Sequence, residues 1–257
     1  MKFYGKSDVG IIRHENQDSF GIYSLLPGVT LCVVCDGMGG YAGGSLASKT
    51  ALEAFVAMMR ETLIPDNPGA APDLSERSVR NALTASADTA NYAVFSKARE
   101  KEDGSLNGMG TTLNAVLITD SGFAWSVNVG DSRLYRVFSD RLTQLTRDHS
   151  MVQEMVDKGA ITAEDATHSP IRNIITRAVG VDTYVDADII GVDTSPENGE
   201  AGYLMICSDG LYTCVPAEKI LSVLSSGNTI AKKADRLVSA ARKAGGPDNI
   251  TVLLIEL

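Results

Sequence analysis

The chain has 257 residues, 44% of them hydrophobic, and a formal net charge of −9. That length and apolar content support a packed core and exclude a disordered chain, and the acidic balance excludes a nucleic-acid partner, which needs clustered Lys and Arg to displace counterions. The first eight residues lack the apolar stretch of a secretory signal, and no run approaches the roughly 18 apolar residues that span a bilayer, so no membrane attachment and a cytoplasmic location are expected.

A first short strand leads into a polar loop over 10–19 that carries Arg13, His14 and Asp18. Residues 20–25 alternate as a strand and turn at Pro27-Gly28 into Leu31-Cys32-Val33-Val34-Cys35, an apolar run that reads as buried on both faces. This order delivers Arg13 and Asp18 near Asp36. Cys32 and Cys35 point to opposite faces of that strand, no second pair completes a zinc set, and all four cysteines read as small buried hydrophobes. Leu52, Phe55, Val56, Met59 and Leu63 recur at helical spacing within a helix over 45–63, which the proline-rich stretch 64–73 ends. A second helix is expected over about 74–99, with Asp73 and Glu76 as a capping pair and Val79, Leu83, Ala87, Ala90 and Val94 along one face.

Strands over 113–118, 123–129, 133–138 and 141–145 form a meander of hairpins. In the second of these, Phe123, Trp125, Val127 and Val129 share one parity and Ala124, Ser126 and Asn128 the other, which gives the strand two distinct faces. The segment 148–180 changes character, with a short helix over 151–158 and another after Thr162. It reads equally as a mobile flap beside a cleft and as decoration without a role. Strands return over 187–192 and 203–208, separated by a loop at 195–199; helices occupy 216–225 and 229–243, and a strand over 250–256 closes the chain. With no repeat and no linker-like break, residues 1–257 are expected to form one α+β domain, two antiparallel sheets face to face with helix pairs outside.

The ends of the apolar strands carry the chemistry. Asp36 follows the first of them and opens Asp36-Gly37-Met38-Gly39-Gly40, Asp131 follows Val129-Gly130, Asp209 follows Ser208, and Asp248 follows Gly245-Gly246-Pro247. A carboxylate placed there can face a cleft, and neighbouring glycines let backbone carbonyls approach a cation or phosphate. One Asp-Gly pair alone is more often a turn, but four aspartates in the same context point to one shared oxygen-ligand metal site. Asp8, Asp120, Asp140 and Asp182 lack that context and read as turns. Oxygen donors suit Mg²⁺ or Mn²⁺, whereas zinc or copper would need the histidines, and His14, His149 and His168 are dispersed. Two such ions acidify a bridging water, which makes phosphoester hydrolysis the natural reaction, with an arginine to clamp the phosphoryl oxygens. A calcium-binding module is excluded by the lack of an Asp-x-Asp-x-Asp-Gly loop ending in glutamate.

Six motifs stand in order: Asp18 in Arg13-His14-Glu15-Asn16-Gln17-Asp18-Ser19, the Asp36 run, Gly108-Met109-Gly110-Thr111-Thr112, Gly130-Asp131-Ser132-Arg133, Ser208-Asp209-Gly210, and Gly246-Pro247-Asp248-Asn249-Ile250-Thr251. Together, over about 2–257, they resemble the metal-dependent protein phosphatases, the type 2C or PPM family, in its bacterial branch. The resemblance implies an α-β-β-α sandwich and hydrolysis of phosphoserine and phosphothreonine in proteins by attack of a metal-bridging water. It also implies opposition to a bacterial serine/threonine kinase, phosphorylated proteins as partners, and a monomer. By position, Asp36 resembles the carboxylate that bridges two Mn²⁺ or Mg²⁺ ions, Gly37 the carbonyl ligand, and Asp209 and Asp248 ligands of the first ion. Asp18 resembles an outer ligand of the second ion, Arg13 the phosphate clamp, and Asp131, with Asp209, the holder of a weaker third ion. The segment 148–180 matches the family's flap. Two positions depart from the pattern. Met38 stands where animal members carry a histidine proposed as general acid, so a metal-bound water or another residue must protonate the leaving oxygen. Gln17 replaces an acid found in many relatives, which implies a weaker second ion. His14 is not expected to replace the acid, because neighbours in extended chain point apart. The rival reading is a catalytically weak relative that binds phosphoproteins, but such relatives lose aspartates and none is missing here.

Overall fold

In chain order the first elements are β1 (Lys2–Asp8), β2 (Asp18–Leu26), β3 (Val29–Met38), α1 (Gly40–Leu63), α2 (Glu76–Lys97), β4 (Gly110–Thr111), β5 (Leu113–Thr119), β6 (Phe123–Val129), β7 (Arg133–Phe138) and β8 (Arg141–Gln144). They are followed by α3 (Met151–Asp157), α4 (Ala163–His168), β9 (Asp188–Asp193), β10 (Tyr203–Cys207), α5 (Asp209–Tyr212), α6 (Ala217–Leu224), α7 (Ile230–Lys243) and β11 (Ile250–Glu256). The structure is a computed structural model that describes residues 1–65, 70–100, 104–138, 141–196 and 202–257. The turn at Asp140 and residues 197–199 of the loop after β9 lie outside the described residues.

Among the described residues the strands form two antiparallel sheets, β1-β11-β10-β7-β8 and β2-β3-β5-β6-β9, with β4 paired to the end of β3. Three apolar layers follow from strand alternation. Leu31, Val33 and Cys35 face α1 and α2 across Phe55, Met59 and Leu83. Cys32 and Val34 face the opposite way, into a seam between the sheets with Leu204, Ile206 and Leu253. Met205, Val252 and Leu254 pack beneath α6 and α7. The result is the expected α-β-β-α sandwich.

Several elements differ from the sequence reading. The helix expected from Ser45 begins at Gly40, because Gly43 and Gly44 let its first turn lie against Met109 and Gln17, where a Cβ would collide, and that packing overrides glycine's poor helix propensity. The cap of α2 is Ser75, whose hydroxyl accepts from the Ser78 amide, while Asp73 accepts from the Ser75 amide one step earlier. The two faces expected of β6 are both buried beyond the exposed Phe123, Ser126 and Asn128 included. Cys32, Cys35 and Cys207 are buried, but Cys214 is only half-buried.

The segment 148–180 contains α3 and α4 and is closed at its base. The Met151 amide donates to the Ile174 carbonyl, the Thr176 amide to the His149 carbonyl, and Val179 exchanges backbone bonds with Thr111. No described helix is long and apolar enough to cross a membrane.

Candidate metal centre

Strand pairing sets the geometry of the site. β2 and β3 place Asp18 directly opposite Asp36, and β3 runs on past Asp36 to Met38, so Asp36 lies inside the strand rather than at its end. The Asp36 amide donates to Thr112 Oγ1 at 2.9 Å, and its carbonyl accepts from the Thr112 amide at 2.9 Å and from Thr111 Oγ1 at 2.8 Å. Gly37 can be nothing else, because a Cβ there would meet the backbone oxygens of Gly44 and Gln17. Asp209 opens the short helix α5, an element the sequence reading missed. Asp248 precedes β11 and is fixed by Asn249, whose side chain accepts from the Gln17 amide at 2.8 Å and donates to the carbonyls of Val9 and Glu15 at 3.0 and 2.9 Å. One amide side chain thereby pins the Arg13 loop beside Asp248.

Arg13, Asp36, Gly37, Asp131, Asp209 and Asp248 line one cleft of about 600 Å³. Asp18 does not line it. It lies behind Asp36, where its Oδ2 accepts from Ser208 Oγ at 2.8 Å and Thr251 Oγ1 at 2.6 Å. Asp8, Asp120 and Asp182 also stay off the cleft; Asp120 lies in a turn and Asp182 in a bend, but Asp8, also expected in a turn, is the last residue of β1, where its side chain accepts from Arg242. Burial pushes the carboxyls of Asp18 and Asp131 up to about 6, opposed at Asp18 by the two hydroxyls and reinforced at Asp131 by the charge of Asp148. Asp36 and Asp209 rise well above the carboxylate range, first from burial and then from the neighbouring acids.

A crowd of oxygen donors with too little positive charge suits hard cations. Asp18 Oδ1 and Asp209 Oδ1 are buried and have no hydrogen-bond partner, which an ion or its bound waters would supply. Among the described residues no three His, Cys, Asp or Glu side chains close on a single point. The donors are spread around a cleft, an arrangement for ions that keep several waters, so the residues present fit Mn²⁺ or Mg²⁺.

Arg13 Nη2 donates to Asp248 Oδ2 at 2.8 Å, and that bond raises the pKa of the guanidinium, which stays cationic. Residues 11–15 form bends rather than extended chain, so the alternation argument fails there and His14 lines the cleft beside Arg13. Met38 also lines it, and Gln17 Nε2 donates to the Gly40 carbonyl at 2.7 Å. The sequence reading assigned no role to Thr112, Ser208, Thr251, Asn249 or Tyr212, whose hydroxyl donates to the Asp131 carbonyl at 3.1 Å. All but Tyr212 sit inside the six motifs, which was the available signal.

A family profile for protein phosphatase 2C matches residues 13–251. The serine/threonine phosphatase stp of Listeria innocua is 36% identical over 251 residues, covering 98% of this chain and 94% of that relative. The fold matches serine/threonine phosphatase Stp1 from Staphylococcus aureus with a TM-score of 0.88 at 30% identity, over 100% of this chain and 94% of that one. It also matches a catalytic domain of serine threonine protein phosphatase PstP in complex with two manganese ions, with a TM-score of 0.76 at 33% identity, over 98% and 96% of the two chains. The chain belongs to the protein phosphatase 2C family.

The raised carboxyls set the pH response of the metal-free protein. A folded pKa above the unfolded value of about 4 favours the protonated native state, so this stabilisation is complete below pH of about 4 and is lost as pH rises. For Asp18 and Asp131 the loss is complete above their folded values of about 6; for Asp36 and Asp209 it continues higher. In EDTA the melting temperature is expected to fall between pH 5 and pH 8, and saturating Mn²⁺ to raise it more at pH 8, because ion binding displaces these protons. Thermal melts at both pH values check this, and an equal Mn²⁺-induced gain at both refutes it.

Proposed function

We propose that this protein-serine/threonine phosphatase hydrolyses phosphoserine and phosphothreonine in phosphoproteins at a centre that holds two tight Mn²⁺ or Mg²⁺ ions and a weaker third. The observation that carries the reading is the convergence of Asp36, Asp131, Asp209 and Asp248 with Arg13 on one cleft. In it, Asp36 and the Gly37 carbonyl join Asp209 and Asp248 in holding the tight pair, Asp131 and Asp209 hold the third, and Asp18 supports the centre from behind. Bound there, the ions supply Lewis acidity and an acidified water at neutral pH. Arg13 spends one of its five donors on Asp248, which orients the guanidinium and leaves others for phosphoryl oxygens. Met38 has no proton to give.

The segment 148–180 contributes Asn173 and Ile175 to the cleft, which supports a flap that touches substrate. A single domain acting as a cytoplasmic monomer against a cognate serine/threonine kinase completes the proposal. The phosphoprotein-binding alternative is not favoured, since every carboxylate of the set is present. The direct test is a Mn²⁺ titration of phosphopeptide turnover: activity is expected to need added ion and to vanish on chelation, and undiminished turnover in excess EDTA sinks the reading.

Arg13→Ala removes one charge-assisted contact worth about 1.5 to 3 kcal/mol in transition-state binding, so kcat/KM is expected to fall roughly 10- to 150-fold while metal binding persists. Unchanged kinetics with unchanged inhibition by phosphate would show that the clamp lies elsewhere.

For Asp131→Ala the two tight ions and the fold are expected to remain. Turnover of phosphopeptides, whose alkoxide leaving group needs a proton, is expected to fall more than turnover of p-nitrophenyl phosphate, whose phenolate does not. Rates on both esters beside calorimetry of metal binding decide it. Equal losses on the two remove the proton-supplying role from this ion and direct attention to His14, which lines the same cleft.

A further inference from the structure

His149 is 1% exposed, and the phosphatase reading above gives it no task. Its backbone amide donates to the Gly130 carbonyl at 3.0 Å, and its ring Nδ1 accepts from the Gly130 amide at 3.1 Å. One histidine thereby occupies both polar backbone groups of the residue that precedes Asp131. Gly130 has a φ of +99° and packs so closely on Thr112 that a Cβ would collide, so the turn has a single tightly defined conformation to hold. With Nδ1 accepting, the ring proton resides on Nε2, which faces Asp188 Oδ2 at 3.2 Å. Burial lowers the imidazole pKa, in keeping with a neutral ring.

The other side of the histidine reaches the flap. Arg177 Nη1 donates to Asp188 Oδ1 at 3.0 Å, and the Thr176 amide donates to the His149 carbonyl at 2.8 Å. Both residues belong to the limb of the flap that follows Ile175, a residue of the cleft wall. Asp148, next in sequence, grips Arg133 through a bidentate pair of 2.7 and 3.0 Å, and the Arg133 guanidinium stacks on the Tyr212 ring at 3.7 Å. The Asp131 turn is thus braced from the chain segment on which the flap is built.

We propose that His149 is a positioning residue for the Asp131 ion: it fixes the Gly130–Asp131 turn and, through Asp188 and Arg177, couples that turn to the flap. The inference rests on the reading of Asp131 as ligand of the weak ion. A buried histidine with a merely structural task would affect all ions and the fold alike, and that difference is measurable. Electron paramagnetic resonance of free Mn²⁺ counts tight and weak ions in wild type, Asp131→Ala, His149→Ala and His149→Asn. His149→Ala is expected to weaken the weak class roughly 10- to 100-fold, as loss of an outer-shell partner does, with the tight class unchanged. His149→Asn, whose Oδ1 stands near the position of Nδ1, is expected to restore most of that affinity. Amide exchange over 174–178 is expected to slow as the weak class fills in wild type but not in His149→Asn, which lacks the reach to Asp188. A weak class lost in Asp131→Ala yet untouched in His149→Ala overturns the role of His149 alone. A weak class that survives Asp131→Ala overturns the ion assignment, and this inference with it. Should His149→Ala fail to fold, His149→Asn decides: equal weakening of tight and weak ions marks a structural residue and refutes the proposal.

Discussion

Like charges held together away from water dominate this molecule. Asp18 and Asp131 are each 8% exposed, Asp36 and Asp209 are partly buried, and Arg13 lines the same cleft as Asp36, Asp131 and Asp209. Burial first, and then the charge of the neighbouring acids, raises the carboxyls of Asp36 and Asp209, so at neutral pH the site strains toward either protons or cations. The sandwich creates that strain, because Asp36 comes from one sheet and Asp209 from the end of a strand in the other, and the apolar seam between the sheets brings the two together. A cation bound there would relieve the repulsion and so couple metal binding to folding.

The groups that hold the carboxylates are almost all neutral. Thr111 and Thr112 anchor the backbone of Asp36, Ser208 and Thr251 the side chain of Asp18, and Asn249 the loop beside Asp248. Hydroxyl and amide donors fix direction without cancelling charge, which leaves the negative potential available to an ion. Arg13 differs, since it forms an ion pair with Asp248; under the proposed function that pair would put phosphate recognition next to metal ligation. Close backbone approach completes the centre: at Gly37 and Gly210 a side chain would displace the carbonyls of Gln17, Gly44 and Asn249 that pack against them.

Met38 lines the cleft without an exchangeable proton, while His14 lines it by virtue of an irregular loop. Under the proposed function, a water on an ion held by Asp131 and the imidazole of His14 would be two chemically distinct sources of the proton that the leaving oxygen needs.

Local pattern determined most of the architecture. Period-two and helical spacing marked the long strands, the helices and the burial of Leu31 to Cys35 on both faces, because each element packs its apolar residues at its own repeat. The aspartates of the site were legible because a carboxylate among small residues beside an apolar run breaks that pattern, whereas strand pairing decided that Asp36 lies inside β3 and Asp248 ahead of β11. Tertiary contact decided the rest. The start of α1 at Gly40 depends on packing against Met109 and Gln17, and the cap on whether Asp73 or Ser75 reaches a free amide of the first helical turn. The position of His14 depends on bends that no alternation rule covers. Asp18 could be read from its motif, but its place behind Asp36 follows from the β2–β3 register and from hydroxyls on β11 and beside α5, far away in sequence. His149 carried no local signal, since its partners Gly130, Thr176 and Asp188 lie on three separate segments, and only the folded chain brings hydrogen-bond donors and acceptors from such distances to one ring.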